Sequence, residues 1–230
     1  MAARLQAARG AELVKIISVV CQKGGAGKTT IATNLAVLAE QAGYPTVLLD
    51  LDPQATAAKW GDKRRGSPPD VVAAQAGRLV RLLEDARKQG AGVAIIDTAP
   101  SADAAALEAT KAADLVLVPC QPSDFDLGAV GSTVRVAEQI AGKQSWVVMN
   151  AVPPTSKITE EAIAALTEVG VRVAPARLVR RLDFVNGLPA GQSAIEWNPK
   201  SKAAGEVVEL WQWASQQVGM PAHHLDDVRE

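Results

Sequence analysis

The sequence predicts an α/β fold, built as a single doubly wound, mostly parallel sheet with helices on both faces. Two observations predict it. Six apolar runs, 13–20, 45–50, 93–97, 114–119, 146–150 and 171–174, alternate with stretches of helical character. Most of these runs are continuous rather than alternating, as strands covered on both faces require. A third observation locates function: several runs end in a polar residue (Asp50, Asp97, Asn150), and the carboxyl ends of parallel strands form the ligand edge of such a sheet.

The first run is followed by Val19-Val20-Cys21-Gln22-Lys23-Gly24-Gly25-Ala26-Gly27-Lys28-Thr29-Thr30 and then by a helix expected over 31–41. Strand, glycine-rich turn and helix together form a phosphate-binding loop, which makes the sheet one of P-loop NTPase type. Glycines let backbone N–H groups converge on phosphate oxygens, and the helix N-terminus adds partial positive charge. The expected contact set is Gly24, Gly25, Ala26, Gly27, Lys28, Thr29 and Thr30. Lys28 would reach the β- and γ-phosphates, and the Thr29 hydroxyl would complete a Mg²⁺ shell.

The loop departs from the general G-x-x-x-x-G-K-[ST] pattern. Gln22 stands where the first glycine belongs, and a second lysine, Lys23, follows it. Lys23 is badly placed to serve phosphates that Lys28 already holds and well placed to reach outward to a nucleotide on another subunit. Here the sequence resembles the deviant Walker A ATPases, the ParA, MinD and nitrogenase iron protein group. That resemblance implies that Lys23 acts in trans across an ATP-sandwiched homodimer.

The second run leads into Asp50-Leu51-Asp52-Pro53-Gln54, and Pro53 ends the strand. This stretch resembles switch I of the ParA family. The resemblance implies that Asp52 positions the attacking water and that Asp50 lies near the Mg²⁺ shell. The alternative is that both aspartates cap the Ala-rich helix that follows.

Residues 59–70 hold two glycines, adjacent prolines and Lys63-Arg64-Arg65, and are expected to form a surface loop. A helix is expected over 77–89, with Leu79, Leu82, Leu83 and Ala86 on one face. The run 93–97 delivers Asp97 to the ligand edge as a Walker B carboxylate for Mg²⁺. Thr98-Ala99-Pro100 resembles switch II, and no Glu follows Asp97, which favours Asp52 as the water-orienting group.

The fourth run opens into Pro119-Cys120-Gln121-Pro122-Ser123-Asp124-Phe125-Asp126, again a ParA-like pattern. Asp126 either supports a dimer face or, as its position favours, caps the next helix. Asn150 ends the fifth run, where its amide either reads adenine's edge or forms a turn. Arg177, Arg180 and Arg181 cluster around an expected helix start, and Lys200 and Lys202 follow a Trp-Asn-Pro turn. In ParA relatives, basic residues of this region hold DNA phosphates across the ATP dimer without reading bases. The alternative is plain solvated surface. The stretch 193–204 also resembles the closing part of small ParA chains. The last helix, 203–218, places Val207, Trp211, Ala214 and Val218 on one face.

Length and composition bound the rest. The 230 residues suit one domain over 13–220, with a short tail at 1–12 and an acidic one at 221–230. Arg4 and Arg9 are the tail residues through which the resemblance implies partner stimulation. The formal net charge of −1 offers no global attraction to DNA or lipid, so DNA binding needs a local patch. Cys21 and Cys120 read as buried thiols, and His223-His224 has no metal-ligand spacing.

The function expected is therefore that of a ParA-type ATPase with ATP and Mg²⁺ as cofactors. It would dimerise on ATP, bind non-specific double-stranded DNA, and position a plasmid, chromosome region or protein cargo through a ParB-like adaptor. Its expected place is the cytoplasm, on the nucleoid and off the membrane. The alternatives are a MinD-like membrane-associated regulator and a P-loop metabolic or redox enzyme.

Overall fold

In a computed structural model the chain is described over residues 14–100, 104–122, 124–155 and 157–220. The expected tails with Arg4, Arg9, His223 and His224, together with the Asp126 side chain, lie outside the described residues.

Six strands form one sheet: β1 (Lys15–Val19), β2 (Thr46–Asp50), β3 (Asp70–Ala73), β4 (Val93–Asp97), β5 (Leu115–Cys120) and β6 (Ser145–Met149). Their spatial order is β3-β2-β4-β1-β5-β6, and every pairing is parallel. The chain winds from β1 to β2 and β3 on one side, returns to β4, and crosses to β5 on the far side of β1. The order therefore reverses at β1, where open α/β sheets open their ligand crevice.

Nine α-helices, counted among the described residues, accompany the strands: α1 (Lys28–Gln41), α2 (Thr56–Lys63), α3 (Leu79–Lys88), α4 (Ala104–Ala112) and α5 (Asp124–Arg135) connect them, and α6 (Lys157–Glu168), α7 (Asp183–Asn186), α8 (Ala194–Trp197) and α9 (Lys202–Gln217) follow β6. Alternate strand residues face opposite layers. Ile17, Val19, Leu48, Ile95, Leu117 and Val148 pack with Ile31 and Leu35 of α1 and with Val207 and Trp211 of α9. Leu49, Ala94, Ile96, Val116, Val118 and Met149 pack on the other face with Leu79, Ala109, Val130, Ala162 and Leu166. Both faces of the sheet are thus dry, and the continuous apolar runs are accounted for. The expected α9 stripe of Val207, Trp211, Ala214 and Val218 is buried throughout, and the helix opens on Ser201, whose side chain accepts the Ala204 N–H. No described helix is long and apolar enough to cross a membrane.

The structure corrects two expectations. Residues 59–63 are helical, because Gly61 lets α2 lie directly on β3; a Cβ there would meet the Val71 Cβ at 2.6 Å. The sixth strand is β3, an edge strand with Asp70, Val72 and Ala73 exposed, and not 171–174. The latter segment makes an isolated bridge, Val147 with Val173. It then continues beside the β6 edge through Leu178 N to Met149 O and Arg180 N to Val152 O, both 2.9 Å. Arg177, Arg180 and Arg181 accordingly sit on this extended strap, which runs into the start of α7 at Asp183.

Candidate functional site

The loop 20–27 leaves the C-terminal end of β1, between β4 and β5. Gly27, at φ 99°, turns the chain into α1 in the left-handed region. A Cβ at Gly27 would stand 2.0 Å from Asn150 Nδ2, so glycine is required there by space as well as by torsion. The first turn of α1 carries no acidic residue and no side-chain cap, which leaves its N–H groups uncommitted to a capping side chain.

Lys28 is buried, and its Nζ folds back to donate to the Lys23 carbonyl oxygen at 3.1 Å. Burial lowers its pKa from the ordinary lysine value, against the opposing pull of Cys21, Asp97 and Asp52. Gln121, at the end of β5, donates through Nε2 to Gly25 O at 2.9 Å, and Asn150 Nδ2 donates to Ala26 O at 2.6 Å. Gln22 receives the Ser132 hydroxyl on its Oε1 at 2.7 Å, which ties the loop's first deviant residue to α5. Lys23 is half-buried.

The Thr29 hydroxyl donates to Asp97 Oδ2 at 2.6 Å. Asp97 is fully buried, and its other oxygen, Oδ1, is one of two buried side-chain oxygens without a hydrogen-bond partner among the described residues. Burial pushes the Asp97 carboxyl up to about 7, with Asp50 and Asp52 adding to the rise and Thr29 and Lys28 opposing it. A carboxylate with one open oxygen, beside a threonine hydroxyl at a loop built for phosphate, fits Mg²⁺. That ion takes one or two protein ligands and completes its shell with phosphate and water, so the lack of a larger acidic cluster among the described residues suits it.

Asp50 lies opposite Asp97 on the neighbouring strand. Its Oδ1 accepts the Asp52 N–H at 3.0 Å and its Oδ2 the Ala58 N–H at 2.9 Å, so it anchors the turn into α2. This is the capping role named above as the alternative. Burial raises its pKa. Asp52 is half-buried and accepts the Gln54 N–H at 2.8 Å. Asn150 spends its donor on the loop, and Thr30 lies in the first turn of α1.

The basic residues divide into two groups. Arg181 is bound by Glu206 (Nε at 2.8 Å, Nη2 at 2.7 Å), and Glu206 also accepts the Val179 N–H, so this pair pins the strap to α9. Arg177 pairs with Glu160 on α6. Arg180, Lys200 and Lys202 are exposed. Sequence reading missed Gln121 and the ion pair between Arg64 and Glu196. Gln121 carries the same signal as Asp97, a polar residue closing an apolar strand at the ligand edge.

The model of the CobQ/CobB/MinD/ParA nucleotide binding domain matches residues 17–192. The chain belongs to that family. It is a ParA/MinD-family ATPase by this membership. It is 32% identical over 202 residues to Maintenance of carboxysome distribution protein A of Gloeobacter kilaueensis, covering 86% of this chain and 85% of that one. It is 31% identical over 156 residues to the Chromosome-partitioning ATPase Soj of Thermus thermophilus, covering 55% of this chain and 63% of that protein. Among solved structures it resembles an ATP complex of a Cyanothece McdA variant at a TM-score of 0.70 and 17% identity, over 91% of this chain and 98% of that one. It also resembles MinD of Pyrococcus horikoshii complexed with Mg-ADP, at 0.69 and 20% identity, over 90% and 98% of the two chains. At these identities the two likenesses speak for the fold.

A pH dependence follows from Asp97. The folded chain holds this proton up to about pH 7, whereas an unfolded carboxyl loses it near about 3.9. The folded state therefore binds more protons between those values, and stability of the metal-free, nucleotide-free protein falls as pH rises from about 4 to about 7. Asp50 acts in the same direction. Thermal unfolding from pH 5 to pH 7.5 checks this: Asp97→Asn should flatten the decline, and an unchanged slope in the variant would refute the assignment.

Proposed function

We propose that this chain is an ATP-driven dimerising switch that binds double-stranded DNA without sequence preference while loaded with ATP, and uses hydrolysis to position a cargo. The observation that carries the reading is the pair of lysines. Lys28 is buried under the loop and turned toward its own phosphate cradle, so the second lysine, Lys23, is surplus to the nucleotide of its own subunit. A second lysine beside a phosphate loop suits the nucleotide of a second copy, and two copies meeting there form a homodimer.

In this reading Gly24, Gly25, Ala26, Gly27, Lys28, Thr29 and Thr30 hold the triphosphate, and Thr29 and Asp97 hold Mg²⁺. The ion neutralises phosphate charge; the remaining work belongs to the chain. Asp52 orients the attacking water, from a turn whose shape Asp50 sets by taking two backbone N–H groups. Asn150, its donor already on the loop, offers its carbonyl oxygen to the amino group of adenine. Arg180, Lys200 and Lys202 face solvent and supply the phosphate contacts of DNA, while Arg177 and Arg181 buttress the strap that carries Arg180. The cargo reading and the ParB-like adaptor rest on the relatives, whose names concern carboxysome distribution and chromosome partitioning.

Binding to random duplex DNA with ATP, with ADP and with no nucleotide tests the proposal. Three exposed cations from each of two copies give about six phosphate contacts, so the log–log salt slope should be about −5, and retention should require ATP.

A further inference from the structure

Three carbonyl groups of the phosphate loop are each held by a side chain: Lys23 O by Lys28 Nζ, Gly25 O by Gln121 Nε2 and Ala26 O by Asn150 Nδ2. A trans peptide unit points its C=O and its following N–H in opposite directions. Pinning these oxygens therefore aims the N–H groups of Gly24, Ala26 and Gly27 the other way. The three holders differ in what else secures their peptide. Asn150 also packs against Gly27, with its amide where a Cβ would go. Gly25 has no such support. It is exposed, sits at φ 75°, and a Cβ there would touch nothing within 4 Å. With open space on that side and a torsion that glycine leaves soft, the hydrogen bond at 2.9 Å is what fixes the Gly25–Ala26 peptide plane.

We propose that Gln121 is a positioning residue for the polyphosphate: from the end of β5 it orients the Gly25–Ala26 peptide so that the Ala26 N–H faces the bound nucleotide. This rests on the nucleotide reading above. Loop N–H groups cradle the α- and β-phosphates, which ATP and ADP share. Losing the Gln121 bond therefore weakens both nucleotides alike and leaves turnover of bound ATP unchanged. The bond lies on the rim, outside both buried clusters, so its loss does not reach the core.

The test is equilibrium binding of ATP and ADP with Mg²⁺ to wild-type and Gln121→Met protein, with Tm measured on the nucleotide-free forms. Methionine keeps the length and removes the donor. The expected result is a rise of about 3- to 10-fold in both Kd values, the size of one lost hydrogen bond, with kcat at saturating ATP unchanged and Tm shifted by less than about 1 °C. Gln121→Glu, which sets an acceptor against the carbonyl, should cost more than Gln121→Met. Equal Kd values in wild type and variants overturn the proposal. So does a Kd rise accompanied by a Tm fall of several degrees, which marks a merely structural role. Wild-type protein that binds neither nucleotide overturns the nucleotide reading, and this proposal with it; wild-type binding that the variants leave untouched sinks this proposal alone.

Discussion

Lys28→Met protein is expected to lose ATP binding by about 10- to 150-fold while its nucleotide-free form melts no lower than the wild type. The two effects have one cause. Lys28 is buried, and burial depresses its pKa, so the fold carries a charge that it solvates poorly. Methionine keeps most of the apolar stem and removes that burden. The single bond lost, from Nζ to the Lys23 carbonyl, lies on a part-buried loop oxygen that water can reach. With triphosphate present the charge becomes an asset, because a charge-assisted bond to phosphate in a water-poor cradle contributes about 1.5–3 kcal/mol and its loss leaves phosphate oxygens unpaired. Calorimetric titration with ATP and a thermal melt on the same sample check both halves. A variant that still binds ATP near wild-type affinity would refute the role given to Lys28, and a fall of several degrees in Tm would refute the account of its burial.

The largest effect on stability is expected at Arg64, far from any proposed chemistry. The residue is 8% exposed, and its guanidinium lies 4.6 Å over the Trp60 ring and reaches Gly191 O at 2.6 Å and both oxygens of Glu196 at 2.7 and 2.9 Å. It also donates to the Ser67 and Pro68 carbonyls. Glu196 in turn accepts from the Ser193 N–H and hydroxyl, closing a capping box on α8. Burial alone would raise the Glu196 pKa, but Arg64 and Ser193 together hold it below the ordinary value. The pair thus joins α2 to the α8 region. Arg64→Ala leaves a half-buried carboxylate and the buried Gly191 carbonyl without their donor, which costs about 3–5 kcal/mol. For a domain of this size that is a Tm fall of about 10 °C. Arg64→Lys should recover part of it, since an ammonium keeps the charge but cannot bridge both oxygens. A fall of less than about 2 °C in Arg64→Ala would contradict this account.

The fold was legible where burial on both faces imposes one pattern. β1, β2, β4, β5 and β6 are continuous apolar runs because helices cover both sides of each. β3 escaped because an edge strand needs no such run; Asp70, Val72 and Ala73 face solvent and the strand pairs with β2 alone. The 171–174 run reads as a strand and nearly is one, yet its ladder with β6 amounts to a single bridge before Pro175. The second half of α2 was hidden by Gly61, which serves a close approach that cannot be read locally.

The site divides in the same way. Lys28, Thr29 and Asp97 were legible from loop spacing and strand ends. Asp50 was legible as a polar strand end, but its two backbone partners, which make it an anchor, were not. Gln121 and Gly25 are 96 residues apart, and Arg64 and Glu196 are 132 apart. Pairs at such separations are set by the packing of whole elements, and no local pattern announces them.

The central claim is that ATP joins two copies through Lys23 and that DNA is held only in that state. The most direct test runs the DNA titration on wild-type and Lys23→Gln protein side by side, with ATP, ADP and no nucleotide, while following mass in solution. The account predicts a dimer that holds DNA with ATP alone, and a variant that binds ATP as a monomer and releases DNA. Binding of DNA by the wild type that is equal in all three nucleotide states, or a Lys23→Gln protein that dimerises and holds DNA as the wild type does, would contradict it.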